Sequence, residues 1–227
     1  MLTGMERRHF IAALAFSLGV GLCGPLALAQ SAPPATTGDT ILVVGDSLSA
    51  EYGLKRGSGW VALLDKRLAE GKVPARVINA SISGDTTSGG RSRLPALLAQ
   101  HKPTIVVIEL GGNDALRGLP LKMTQDNLAQ MTQAAQKAGA RVLLVGMQVP
   151  PNYGTDYARQ FGAMFEKVAK DARAALVPFF LKGVADVADP LSMFQRDRIH
   201  PIEAAHPQML DNVWAELKKL LHGAARK

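Results

Sequence analysis

The sequence predicts an α/β domain: a mostly parallel five-stranded sheet with helices on both faces, giving three α/β/α layers. Three observations predict it. Short apolar runs, rich in branched residues, recur five times between residues 40 and 180. The stretches between them place apolar residues at helical spacing. Glycine, proline or small polar residues close most of the runs, so strands and helices alternate rather than segregate.

The first run, residues 40–44, is continuously apolar and stops at Gly45, as expected of a strand buried on both faces. Residues 60–68 carry apolar side chains at 60, 61, 63, 64 and 68, which is one face of a helix. Residues 75–80 form the second strand candidate. Residues 92–101 read as a helix halted by Lys102-Pro103. The strongest strand is 104–110, β-branched and closed by Gly111-Gly112. A helix over 124–138 with Gly139 as its stop, a strand over 141–145 and a helix over 157–175 follow. The fifth strand, 176–180, contains Pro178 and is therefore placed at a sheet edge. A last helix is expected over 204–221.

The residues before this domain read differently. Arg7 and Arg8 precede an uncharged apolar stretch, 10–29, that ends in Ala27-Leu28-Ala29. A basic start, an apolar middle and a small-residue exit make a secretory signal peptide over 1–29. The stretch is also long enough to span a bilayer, so an uncleaved anchor is the competing reading. Arg7-Arg8-His9-Phe10-Ile11 has the look of a twin-arginine export signal. Residues 30–38, small and polar with two prolines, are a flexible leader; 39–222 are the domain and 223–227 a short tail. A periplasmic or secreted location follows. The one cysteine, Cys23, lies in the signal, so no disulfide or cysteine metal cluster is expected.

Composition narrows the function. With 47% hydrophobic and 20% charged residues the chain is globular and neither disordered nor fibrous. Aromatics at 5% are too sparse for a base-stacking platform, so no nucleic-acid partner is expected. The net charge of +7 is scattered and suits transient contact with an anionic membrane surface rather than a designed basic patch. No heptad or apolar stripe calls for more than a monomer.

In a parallel α/β sheet a ligand site lies past the carboxyl ends of the strands. Three short segments sit there. Gly45-Asp46-Ser47-Leu48-Ser49 follows the first strand and puts Ser47 at a strand-to-helix turn, where backbone N–H groups favour negative charge. Taken alone, Asp46 or Ser47 is more simply a helix cap. Gly84, in the Ser/Thr-rich loop after the second strand, can turn an N–H into a cleft, although such a loop is by itself an ordinary turn. Asn113, after Gly111-Gly112, can donate from its amide, and here too a turn is the simpler reading. A fourth segment, Asp197-Arg198-Ile199-His200-Pro201, offers a histidine base with an acid three residues earlier that can reach Nδ1. His101, His206 and His222 read as surface residues. A zinc site from His200, His206 and Asp197 matches no known ligand spacing. Each segment is weak alone; together they hold a nucleophile, a base, its orienting acid and two oxyanion donors. The competing class is a non-catalytic module that holds an anionic ligand in the same loops.

In order, these blocks resemble the SGNH (GDSL-type) hydrolases, over about residues 40–216. Asn79 to Thr86, Arg93 to Leu98, Glu109 to Asp114 and Pro151-Asn152-Tyr153-Gly154 look like the periplasmic thioesterase, arylesterase and lysophospholipase branch. The resemblance implies a flavodoxin-like fold and a serine esterase that needs no cofactor or metal. Its substrates would be small esters, thioesters or lysophospholipids. It implies Ser47 as nucleophile, His200 as base and Asp197 as its partner. The Ser47 and Gly84 N–H groups and the Asn113 side chain would form the oxyanion hole. Val149, Pro150 and Tyr153 would border the acyl groove. Two positions depart from the family pattern: Arg198 and Glu51 stand where relatives often carry glycine.

Overall fold

The computed structural model describes residues 38–221. The expected signal peptide, leader and tail, together with Cys23 and His222, lie outside the described residues.

Five strands, β1 (Asp39–Gly45), β2 (Ala75–Asn79), β3 (Ile105–Glu109), β4 (Arg141–Val145) and β5 (Ala175–Val177), form one sheet in the order β2-β1-β3-β4-β5. Every pairing in it is parallel. This is the order of flavodoxin-like doubly wound sheets, whose switch point lies between β1 and β3. The sheet is hydrophobic throughout because both faces are covered: Ile41 to Val44 and Ile105 to Ile108 have no exposed surface.

The helices are α1 (Trp60–Glu70), α2 (Thr87–His101), α3 (Gly112–Leu116), α4 (Leu121–Lys137), α5 (Thr155–Ala172) and α6 (His206–Leu217). α1 packs against α6, while α4 packs between α2 and α5, which makes the two outer layers. The inward stripes follow helical periodicity; in α5 they are Phe161, Met164, Phe165, Val168 and Ala169. The three-layer α/β/α class expected from the sequence is therefore the observed one, with an all-parallel sheet.

The differences are at boundaries. α2 begins at Thr87, five residues before its expected start, because the Thr86 side chain caps it by accepting the Gly89 N–H. Gly90 then lies inside the helix, where a Cβ would come within 2.3 Å of Leu110 Cδ1, so any larger residue there requires the Leu110 side chain to shift. β5 is shorter and earlier than expected, and Pro178 falls just past it, consistent with an edge strand whose ladder a proline cannot continue. α4 starts at Leu121, after Pro120, and α6 at His206, after a 3-10 turn over Glu203–Ala205. The short helix α3 was not expected: the Gly-Gly-Asn-Asp string reads as a turn, and this one closes into a single helical turn.

Candidate active site

The parallel sheet sends the segments after β1, β2, β3 and β4 to one end of the molecule, and the long segment 178–205 also starts there, after β5. β1 ends at Gly45, paired with Glu109 at the end of β3, so the segments holding Ser47 and Asn113 leave adjacent strands at the switch point.

No helix starts at Ser47, contrary to the strand-to-helix turn expected. The chain makes one helical-type turn, with Ala50 N–H donating to the Asp46 carbonyl at 2.9 Å, and α1 begins only at Trp60. Asp46 does act as a local cap, its Oδ1 accepting the Leu48 N–H at 3.0 Å. Its Oδ2 accepts from Asn113 Nδ2 at 3.0 Å. Burial raises the Asp46 carboxyl to about 6, against the opposing pull of Leu48 N–H, Asn113 and His200. An ionised Asp46 only accepts, so it fixes which way the Asn113 amide faces and leaves the second amide hydrogen free.

Ser47 Oγ lies 2.9 Å from His200 Nε2, and His200 Nδ1 lies 2.6 Å from Asp197 Oδ2. Asp197 Oδ1 accepts the Ile199 and His200 N–H groups, both at 3.0 Å. Burial works against ionisation here, but these two N–H groups and the His200 ring outweigh it and hold the Asp197 carboxyl at about 2. The carboxylate is then an acceptor only, so His200 carries its proton on Nδ1 and turns the Nε2 lone pair to Ser47.

Gly84 adopts φ +78°, a backbone that favours glycine, and its carbonyl accepts from Arg117 Nη2 at 2.7 Å. Arg117 follows α3, so this contact ties the Gly84 loop to the helix that carries Asn113. Arg93 secures the same loop from below, with Nε 2.8 Å from Asp85 Oδ2 and its guanidinium on the Ala80 carbonyl. Asp114, next to Asn113, is fully buried and accepts from Thr87 and Thr124, which anchors α3 to α2 and α4. Val149, Pro150 and Tyr153 stand on the segment after β4. Val149 packs against the core and Tyr153 stacks on Tyr157 with ring centroids 6.2 Å apart. They share this end of the sheet with Ser47 but form no hydrogen bond or ring contact with Ser47, Gly84, Asn113 or His200 among the described residues.

Several residues came to light only in the structure. Glu109 is 2% exposed. It accepts from Ser49 Oγ at 2.6 Å, and Ser49 Oγ in turn accepts the Trp60 indole N–H at 3.1 Å. Burial, then the neighbouring Asp46 charge, pushes the Glu109 carboxyl well above its ordinary value. A glutamate closing an otherwise apolar strand was the available signal. Tyr52 lays its ring 4.2 Å from the His200 ring. Gln195 Nε2 donates to the Tyr52 and Pro201 carbonyls at 2.9 and 3.1 Å, and its N–H donates to the His200 carbonyl at 2.7 Å. It thereby fastens the His200 loop to the Ser47 loop. No sequence pattern marks it.

His206 is corrected: it is buried rather than a surface residue, and its Nδ1 accepts the first N–H of α1, from Trp60, at 3.0 Å. Burial pushes its ring below the usual histidine value, against the pull of Glu51 and Glu203. His200, His206 and Asp197 do not converge on a metal-sized site among the described residues. The two departures from the family pattern share one feature: Glu51 and Arg198 both have φ 60°, where glycine is unstrained. The Glu51 carboxylate offsets this by accepting the Gly57 and Gly59 N–H groups at 3.0 and 2.8 Å.

Comparison with known proteins identifies the family. Residues 43–207 match the model of the GDSL-like Lipase/Acylhydrolase family. The chain is 55% identical over 200 residues to "Esterase TesA" of Pseudomonas aeruginosa, covering 88% of this chain and 98% of that protein. It is 42% identical over 188 residues to "Thioesterase 1/protease 1/lysophospholipase L1" of Escherichia coli, covering 83% and 88% respectively. The solved structure of a psychrotrophic esterase EstA from Pseudoalteromonas sp., inhibited by monoethylphosphonate, superposes with a TM-score of 0.75. It is 41% identical to this chain, and the match covers 80% of this chain and 97% of that one.

Proposed function

The chain belongs to the GDSL-like lipase/acylhydrolase family and is a carboxylic ester hydrolase; on that premise we propose that it works through a Ser47–His200–Asp197 triad and an acyl-enzyme. The observation that carries the reading is the unbroken hydrogen-bonded line from Asp197 through His200 to Ser47, at 2.6 and 2.9 Å.

In the first half-reaction Ser47 Oγ forms a bond to the acyl carbonyl carbon while its proton passes to His200 Nε2. The carbonyl oxygen takes the electron pair and is held by the Ser47 and Gly84 N–H groups and the free amide hydrogen of Asn113. Asp197, ionised well below neutral pH, stabilises the imidazolium. The tetrahedral adduct collapses, and the leaving alcohol or thiol takes the proton from His200. Water then attacks the acyl-serine, giving its proton to His200, and the acid leaves as Ser47 regains a proton.

The names of the relatives support carboxylic esters, acyl thioesters and lysophospholipids as substrates, with Val149, Pro150 and Tyr153 beside the acyl chain. The basic start, apolar middle and small-residue exit of residues 1–29 support export to the periplasm or beyond.

The test is covalent labelling with a fluorophosphonate, paired with Ser47→Ala. Labelling at Ser47, and loss of short p-nitrophenyl ester hydrolysis in the variant, are expected. Hydrolysis retained in Ser47→Ala would remove Ser47 as nucleophile. An unlabelled, inactive wild-type protein would favour the ligand-binding module instead.

A further inference from the structure

The large apolar side chains that remain exposed are distributed unevenly. Tyr52 follows β1, Ile82 follows β2, Leu116 follows β3 and Tyr153 follows β4; the remaining three, Ile199 among them, follow β5. Every one therefore stands on a segment that leaves the carboxyl end of a strand, the end that bears Ser47. The turns at the opposite end carry Lys72, Lys102, Lys137 and Arg173 and, among the described residues, no exposed large apolar side chain. Exposed apolar side chains scattered at random need no explanation, but their confinement to the segments that follow strand carboxyl ends does.

Cations alternate with these tips. Lys55 and Arg56 lie just beyond Tyr52, Arg117 follows Leu116, and Arg198 precedes Ile199, with Arg196 two residues further back. All five are exposed, and none forms an ion pair among the described residues. The carboxylates beside them are committed within the protein: Glu51 to the Gly57 and Gly59 N–H groups, Asp85 to Arg93, and Asp197 to His200. Asp189 and Glu203 are the exposed carboxylates of these segments without such a partner among the described residues. An apolar tip beside an unpaired cation is suited to a phosphate-bearing interface, since the tip enters the headgroup layer while the cation meets the phosphate. Cations at both ends of the molecule can draw it to such a surface. Among the described residues only the Ser47 end has exposed large apolar side chains to insert, so for this domain burial of apolar area decides which end faces the lipid.

We propose that the Ser47 end of this protein docks on the surface of anionic phospholipid, with Tyr52, Ile82, Leu116 and Ile199 entering the headgroup layer and the neighbouring lysines and arginines pairing with lipid phosphates. The proposal rests on the ester-hydrolase reading for its use: acyl esters held in a lipid surface reach Ser47 without first dissolving. Docking itself needs no turnover and is tested without it.

The experiment is co-sedimentation of the Ser47→Ala protein with vesicles of phosphatidylglycerol and phosphatidylcholine, compared with phosphatidylcholine alone. Binding to the anionic vesicles that weakens as salt is raised is expected. In the same background, Ile82→Ser with Leu116→Ser lowers partitioning roughly tenfold, because each half-exposed side chain still has about half its apolar area to bury. Lys55→Gln with Arg56→Gln removes much of the salt-sensitive part. Lys72→Gln with Lys102→Gln, at the far end, changes partitioning by less than about twofold, as expected where charge stays outside the headgroup layer. All proteins share the same N-terminal residues, so differences between them belong to the loops, and circular dichroism establishes that each is folded. Absence of binding by the Ser47→Ala parent, full binding by the Ile82/Leu116 variant, or equal loss in the far-end variant would each overturn the proposal. None of these outcomes bears on whether Ser47 is the nucleophile, which labelling decides separately.

Discussion

Ser49→Ala tests the buried frame beneath Ser47. Ser49 is 1% exposed; its hydroxyl donates a hydrogen bond to Glu109 Oε2 at 2.6 Å and accepts one from the Trp60 indole N–H at 3.1 Å. Water has no route to replace it, since Trp60 is fully buried and Glu109 nearly so. The variant strands the indole N–H and removes a donor from a buried carboxyl. Each such loss costs about 1–3 kcal/mol, which puts the total at about 3 kcal/mol. For a domain of this size that lowers the melting temperature by about 6–12 °C. The assay is thermal unfolding followed by circular dichroism near neutral pH, with Trp60→Phe and the double variant alongside. Because Trp60→Phe already lacks the indole donor, Ser49→Ala in that background costs about 1–2 kcal/mol less than in the wild type. A drop of less than about 3 °C for Ser49→Ala, or strictly additive effects, would show that the buried triangle does not couple as argued.

Three further predictions concern the same end of the molecule. Asn113→Ala lowers kcat by on the order of a hundredfold, by loss of an oxyanion donor; an unchanged kcat on short esters excludes that role. Gln195→Ala, and Gln195→Glu, which cannot donate, each lower kcat about tenfold with KM little changed, because His200 is then held less well against Ser47. Wild-type kcat in both variants would dismiss the fastening role. Glu109→Gln flattens the pH dependence of stability. Burial raises Glu109 and Asp46 above their unfolded values, so the native state keeps protons that the unfolded chain releases. Their contribution is present in acid and is lost as pH rises through about 6, where Asp46 ionises, and beyond it for Glu109. Urea midpoints measured between about pH 5 and about pH 8 should fall less steeply in Glu109→Gln; an identical slope refutes the assignment.

The residues proposed around Ser47 were legible because the proposed acyl transfer calls for specific groups and the parallel sheet delivers such groups after successive strands. The serine after β1, the glycine after β2 and the asparagine after β3 were each weak as isolated strings. Strand alternation turned them into one constellation. What escaped the sequence reading has a common cause. Ser49, Glu109 and Trp60 are far apart in the chain and meet only through β1–β3 pairing and the packing of α1. His206 looked like a surface residue because it falls in the turn or first turn of the last helix. Here α6 packs against α1 and buries it against the first N–H of that helix. The early start of α2 escaped because glycines argue against helix, and the close approach of Leu110 to Gly90 exists only in the packed structure.

Local periodicity and turn chemistry thus determined the layers, the strand count, the edge placement of β5 and the end of the sheet at which Ser47 lies. These features follow from short-range hydrophobic patterning, which a single segment carries in full. Tertiary structure alone decided the burial of Asp46 and Glu109, the clamp made by Gln195, the positive φ that Glu51 and Arg198 share, and the gathering of exposed apolar tips around Ser47. Each depends on desolvation or contact between segments distant in sequence, and no local pattern can encode a dielectric environment that only the packed layers create.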